Sequence, residues 1–230
     1  MDRKTNLREG EVLRPGPTAV LQLLLDPREG GPGGAGVLAA VLDGGVDLVQ
    51  LRMKAATTAE RIAAARVLCR ELAPRAVPLL INDDVAAAVE LGPEVAGVHL
   101  GQDDLSVSAA RARLGPGSWI GQSTHSVAEL CAATAVGATH FGLGACFATA
   151  TKTVPRLLTA AELRAATAVA TRPLYAIGGI TPENVGRLVD CGVSRVAVSS
   201  ALLTATDPRA AAAALRRALA RTAPPPPRTA

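Results

Sequence analysis

Short apolar runs and longer Ala-rich segments alternate eight times along this chain, and few folds accept that rhythm. The runs are residues 19–26 (AVLQLLLD), 47–53 (DLVQLRM), 78–82 (PLLIN), 97–101 (GVHLG), 119–123 (WIGQS), 139–144 (THFGLG), 174–179 (LYAIGG) and 195–200 (RVAVSS). Each has the length of a strand and the aliphatic character of one buried on both faces, and a helical pattern follows each. Several of those patterns carry start signals. Thr57–Glu60, Ser126–Glu129 and Thr159–Glu162 have capping-box spacing, and Thr181-Pro182 puts proline at a first helical position. Eight β–α units in about 200 residues predict the α/β class, as a single closed (β/α)8 TIM barrel. A doubly wound open sheet is the alternative. No Gly-x-Gly-x-x-Gly follows the first run, which weakens its dinucleotide-binding form.

Composition agrees with that reading. Hydrophobic residues make up 49% of the 230 residues and aromatics only 2%, so the core is Ala, Val, Leu and Ile. Trp119, Phe141, Phe147 and Tyr175 are too few to form the stacking platforms of single-strand binders. The net charge of +4 comes from arginines interleaved with acids, with no run of like charge, so no nucleic-acid partner is expected. Residues 1–17 read as a disordered arm, 18–221 as the catalytic barrel, and 222–230 (TAPPPPRTA) as a Pro-rich disordered tail. No segment has signal-peptide character or reaches the ~18 apolar residues of a membrane span, so a cytoplasmic protein without a membrane partner is expected. Cys69, Cys131, Cys146 and Cys191 fit no zinc spacing and read as buried free thiols.

A barrel places its chemistry at the C-terminal ends of the strands. Only three of the 24 basic residues are lysines, and two of them, Lys54 and Lys152, fall at those ends. Gln50, Arg52 and Lys54 alternate with Val49, Leu51 and Met53, which turns the polar set inward and the apolar set toward the helices. Two cations and an amide in a row suit a polyphosphate. Asn82-Asp83-Asp84 and Gln102-Asp103-Asp104 end neighbouring strands. Converging acids there suit Mg²⁺, while helix capping is the other use of an Asp at such a position, and spacing leaves the choice open. Gly178-Gly179 and Ser199-Ser200 occupy the usual phosphate-site position of such barrels. Thr149, Thr151 and Lys152 sit in a longer loop after the sixth strand. His99 reads as structural, His125 as a possible acid or base, and His140 as lying on the wrong face for chemistry.

Seven stretches in order, QLRMK (50–54), INDD (81–84), GVHLGQDDL (97–105), GQSTHS (121–126), TATK (149–152), AIGGITPEN (176–184) and VSSA (198–201), resemble the thiamine phosphate synthase (thiamine-phosphate pyrophosphorylase) family. The likeness runs from about residue 19 to 220. It implies a (β/α)8 transferase that joins a hydroxymethylpyrimidine diphosphate to a thiazole phosphate, releasing pyrophosphate. The resemblance gives Gln50, Leu51, Arg52, Met53, Lys54, Asn82, Ser123 and Lys152 to the pyrimidine diphosphate. It gives Thr149, Ala150, Thr151, one of Gly178 and Gly179, Ser199 and Ser200 to the thiazole phosphate. Asp83 and Asp104 would hold Mg²⁺, and Arg52, Lys54 and Lys152 would be catalytic. The implied partners are these two small molecules, and a homo-oligomer is possible.

The chain departs from the family pattern in places. Gln22 and Leu25 stand where the family often has an aromatic and a Thr, and Ala145 and Ala148 where it commonly has prolines. Two other functions are compatible with parts of the pattern. One is a TenI-like thiazole tautomerase using His125; it needs no diphosphate clamp, so Asn82, Asp83, Asp104 and Lys152 argue against it. The other is a non-catalytic phosphate-binding barrel.

Overall fold

All eight apolar runs are strands: β1 Leu21–Leu25, β2 Leu48–Leu51, β3 Leu79–Asn82, β4 Gly97–Leu100, β5 Trp119–Thr124, β6 His140–Leu143, β7 Leu174–Ile177 and β8 Val196–Val198. The computed structural model describes residues 19–28, 34–148 and 156–222, and in it the strands close into one barrel in chain order. Every neighbouring pair is parallel, and closure comes from β8 beside β1, with Leu21 opposite Val196 and Leu23 opposite Val198. The arm at 1–17 and nearly all of the tail lie outside the described residues.

Helices follow the strands: α1 Gly34–Asp43, α2 Thr58–Leu72, α3 Val85–Leu91, α4 Val107–Leu114, α5 Val127–Ala135, α6 Ala160–Val169, α7 Val185–Val189, α8 Ser200–Leu203 and α9 Pro208–Leu219. Thr57–Glu60 and Thr159–Glu162 form complete capping boxes at α2 and α6. Two expected starts differ. Ser126 caps α5, but Glu129 bonds His125 rather than the Ser126 backbone, so that box is half made. Pro182 does not open a helix. Thr181 N–H donates to Asn184 Oδ1 at 2.9 Å in a local turn, and α7 starts only at Val185.

Alternation along the strands divides the core in two. Leu21, Leu23, Val49, Leu51, Ile81, Val98 and Phe141 point outward and pack under the helices. Leu24, Leu48, Leu80, Ala96, Tyr175 and Ala197 point inward and plug the barrel. The lower end is pinned by polar contacts. Asp47 accepts from the backbone N–H groups of Val20 (3.0 Å) and Leu21 (2.9 Å) and pairs with Arg216 of α9, tying the first strand to the last helix. All four cysteines are free. Cys146 and Cys191 are buried as expected and Cys69 is half-buried, but Cys131 is exposed, because its position on α5 faces away from the sheet. Among the described residues no helix is long and apolar enough to cross a membrane.

Candidate active site

A cavity of about 420 Å³ opens at the C-terminal ends of the strands. Its walls include Gln50, Arg52 and Lys54 from β2 and its loop, and Asn82 and Asp83 from β3. Asp104 and Ser123 follow on the next strands, and Gly178, Gly179, Ser199 and Ser200 complete the far side. The expected residues from six strand ends thus meet in one space. Leu51 and Met53, also expected among the substrate contacts, do not line this cavity. Both are buried in the outer core under the helices, because alternation turns every second residue of this strand away from the cavity. Thr149, Ala150, Thr151 and Lys152 lie outside the described residues.

The β2–β3 side is organised by ion pairs. Lys54 Nζ lies 2.6 Å from Asp83 Oδ2. Asp83 has φ of 64°, a left-handed conformation that Asp tolerates better than most residues, and its N–H donates to the His99 carbonyl at 2.8 Å. The turn aims the two neighbouring acids at different tasks. Asp84 caps α3 by accepting from Ala87 N–H at 2.9 Å, and also takes the Thr58 hydroxyl (2.8 Å) and Arg61 (2.9 Å). Burial alone would raise its carboxyl, yet these partners hold it below the usual range. Capping therefore belongs to Asp84, and Asp83 is left to the cavity.

Asp104 completes the acidic pair. Its Oδ2 accepts from Gly101 N–H at 2.7 Å. Burial first, and the hydrogen-bonding carboxyl of Asp83 next, raise its pKa above the ordinary Asp value. Helix α4 is capped by Ser106, so neither Asp103 nor Asp104 serves that purpose. Two carboxyls crowded until one resists ionisation make a natural place for a small divalent cation. Mg²⁺ needs only one or two protein carboxylates when water and phosphate oxygens supply the rest, so the absence among the described residues of any group of three acid, His or Cys ligands is compatible with it.

The β4–β6 floor holds a chain of side chains that sequence reading did not assemble. His99 Nε2 is 3.1 Å from Ser123 Oγ, and His99 Nδ1 is 3.2 Å from His140 Nε2. His140, the first residue of β6, is fully buried inside the barrel, stacks on Trp119 with centroids 4.6 Å apart, and does not line the cavity. Phe141 and Leu143 point outward, so alternation puts His140 inward. Gly121 makes room for both rings: a Cβ there would lie 2.1 Å from His140 Nε2 and 2.4 Å from His99 Nδ1. Burial, partly offset by Asp104, pushes the His99 ring down to about 4, and burial with the adjacent His99 ring holds His140 well below its usual value. His125 is at the rim, exposed, with Nδ1 3.1 Å from Glu129 in the first turn of the helix that follows it.

The β7–β8 side is made of backbone. Gly178 and Gly179 have φ of 103° and 60°, and a Cβ on Gly179 would sit 2.2 Å from the Ala148 carbonyl. The β6 loop is stitched to this turn by Cys146 N–H to Ile177 O (2.9 Å) and Phe147 N–H to Gly178 O (3.0 Å). Ser199 precedes α8 without spending its hydroxyl on a helix cap.

Other residues were missed by sequence reading. Arg61 donates to the Met53 carbonyl (3.0 Å) and the Lys54 carbonyl (3.3 Å) while pairing with Asp84, so it fixes the loop that carries Lys54. Nothing local marks it out among the many arginines of α2 and its neighbours. Gln22 and Asp26 also line the cavity. Gln22 could have been found as a polar residue on the inward face of an otherwise aliphatic strand, and Asp26 as the acid that follows it.

Fold and cavity together define a class: a (β/α)8 barrel with a charged, polar site at the C-terminal strand ends, the arrangement of barrel enzymes. The family model described as Thiamine monophosphate synthase matches residues 23–202. A thiamine-phosphate synthase of Nitrosococcus oceani is 42% identical over 181 residues, covering 78% of this chain and 82% of the relative. A thiamine biosynthesis bifunctional protein of Geobacter sulfurreducens is 40% identical over 188 residues, and the match spans 80% of this chain but 37% of that longer protein. Among solved structures, thiamine phosphate pyrophosphorylase from Pyrococcus furiosus superposes with a TM-score of 0.79 at 28% identity, covering 89% of this chain and 97% of that one. The chain belongs to the thiamine monophosphate synthase family, and it is a transferase of thiamine biosynthesis.

Proposed function

We propose that the chain joins 4-amino-2-methyl-5-hydroxymethylpyrimidine diphosphate to thiazole phosphate, giving thiamine phosphate and pyrophosphate. The observation that carries this reading is one cavity with two unlike walls. The paired Lys54, Asp83 and Asp104 lie on one side and the Gly178-Gly179 turn on the other.

On the first wall, Gln50, Arg52, Lys54 and Asn82 hold the pyrimidine diphosphate, with Lys152 as a further cation for it. Asp83 and Asp104 would hold Mg²⁺, which neutralises charge on a diphosphate leaving group when bound. Arg52 offers a planar fork and Lys54 a point charge to the oxygens on which negative charge builds as pyrophosphate departs. Ser123 bonds the pyrimidine. On the second wall, the glycine turn with Ser199 and Ser200 holds the thiazole phosphate, together with Thr149 and Thr151. The bond from the methylene carbon to the diphosphate oxygen breaks, and its electron pair leaves on pyrophosphate. The thiazole nitrogen lone pair forms the new C–N bond. The electron-rich aminopyrimidine shares the positive charge at the methylene, so the protein supplies position and electrostatics and no nucleophile.

The test is to mix the purified chain with both precursors and Mg²⁺ and look for thiamine phosphate by mass. Binding of either precursor without product would favour a phosphate-binding barrel instead.

A further inference from the structure

Gln22 is a polar residue in the wrong company. It sits on the inward face of β1, 2% exposed, opposite Leu48 on one side and Ala197 on the other. Its Nε2 is buried and has no hydrogen-bond partner, and it is the one side-chain N or O atom in that condition among the described residues. Yet Gln22 lines the cavity. A buried amide donor left unpaired is costly, and a Leu or Met would fill the same space without that cost. An unpaired donor kept in a residue that borders a cavity points to a partner that arrives with the ligand.

The layers of the barrel say which ligand. Arg52, Lys54, Asp83 and Asp104 occupy the upper rim, so a diphosphate bound there sends its attached ring downward into the barrel. The deep part of the cavity offers apolar surface from Leu24, Ile177 and Ala197, on which a flat ring can lie. Gln50 lies on the neighbouring strand, two residue pairs above Gln22 in the β1–β2 register and so at the next inward-facing position. The phosphate cup of Gly178, Gly179 and Ser199 belongs to the opposite rim. We infer that Gln22 Nε2 donates a hydrogen bond to a ring nitrogen of the pyrimidine and so helps this chain select its heterocycle. The inference rests on the proposed reaction for the identity of the ring, and on the orphaned amide for the existence of the contact.

Gln22→Met keeps the volume and removes the donor. Calorimetric binding of the pyrimidine diphosphate should weaken by about tenfold, the scale of one hydrogen bond to a buried group. The KM for thiazole phosphate should stay within about twofold and the melting temperature should equal or exceed that of the wild type, since the unpaired buried amide is gone. Two deaza analogues, each with one ring nitrogen replaced by C–H, identify the contact: one of them should bind wild type and Gln22→Met alike. Unchanged pyrimidine diphosphate binding in Gln22→Met, equal losses for both substrates, or a variant that melts lower with both analogues still discriminating would overturn the inference. If wild type forms no thiamine phosphate while Gln22→Met still weakens binding, the proposed reaction fails and the contact stands.

Discussion

Lys54 Nζ meets Asp83 Oδ2 at 2.6 Å, so the cation that ends β2 and the acid that ends β3 hold one another across adjacent strands. The lysine side chain is 57% exposed, and pairs that wet contribute about 0–1 kcal/mol. The pair therefore orients charges rather than supporting the barrel. Lys54→Met should leave the thermal melt almost unmoved and lower kcat/KM by roughly 10²-fold or more, as for other single electrostatic groups at a reacting centre. Unchanged turnover would remove Lys54 from the site.

Asp83 and Asp84 should separate cleanly, although adjacent. Asp84→Ala removes a helix cap and the buried side of an ion pair with Arg61, which should cost about 1–3 kcal/mol of stability while sparing most of kcat. Asp83→Ala should do the reverse. Chemical denaturation and steady-state kinetics on both variants check this, and a similar pattern in the two would refute the division of labour.

The backbone at Asp83 offers a second measurement. Its φ of 64° is strained for most residues and free for glycine. Asp83→Gly should melt at or above the temperature of Asp83→Ala, by about 1 kcal/mol in its favour, with both equally inactive. If Asp83→Ala is the more stable, the turn relaxes on substitution and carries no strain.

The acidic pair sets up a test of the proposed Mg²⁺ site. Activity should vanish in excess EDTA and return with Mg²⁺. Asp104→Asn removes one charge from a crowded pair, so its melting temperature in EDTA should exceed that of the wild type. Mg²⁺ with pyrophosphate should then stabilise wild type and not the variant. Full activity in EDTA would overturn the metal assignment.

The two buried histidines predict acid sensitivity. Both are neutral in the folded barrel, with His99 pushed down to about 4 and His140 lower than its usual value, whereas in the unfolded chain each titrates near 6.5. Between these values the unfolded state binds more protons, so stability is full above pH 6.5 and falls as pH drops toward 4. For His99 the loss should be on the order of 2 kcal/mol by pH 5, and His140 adds to it in the same direction. Denaturant titrations at pH 7.5, 6 and 5 measure the slope, and a His99→Gln, His140→Gln variant should flatten it.

The barrel was legible because its strands are short, aliphatic and evenly spaced, and periodicity reports such elements well. The candidate site was legible where polar residues interrupt that pattern at strand ends, as at Arg52, Asp83 and Asp104. Reading failed where a residue's use depends on a neighbour remote in sequence. His140 reads as a mere strand start until Gly121, on another strand, is seen to leave room for its ring. Arg61 reads as an ordinary surface cation until the Met53 and Lys54 carbonyls are seen beneath it. The choice between Asp83 and Asp84 turns on a single left-handed residue, which Asp does not announce as Gly would.

The glycine turn after β7 has a consequence for how such a barrel can change over time. One wall of the cavity is main chain, held by torsion angles that tolerate almost no side chain, and a methyl on Gly179 would strike the Ala148 carbonyl. The opposite wall is side chains on separate strands, each replaceable without disturbing the sheet. Selection can therefore rewrite the side-chain wall one residue at a time, while the glycine turn stays as inherited hardware.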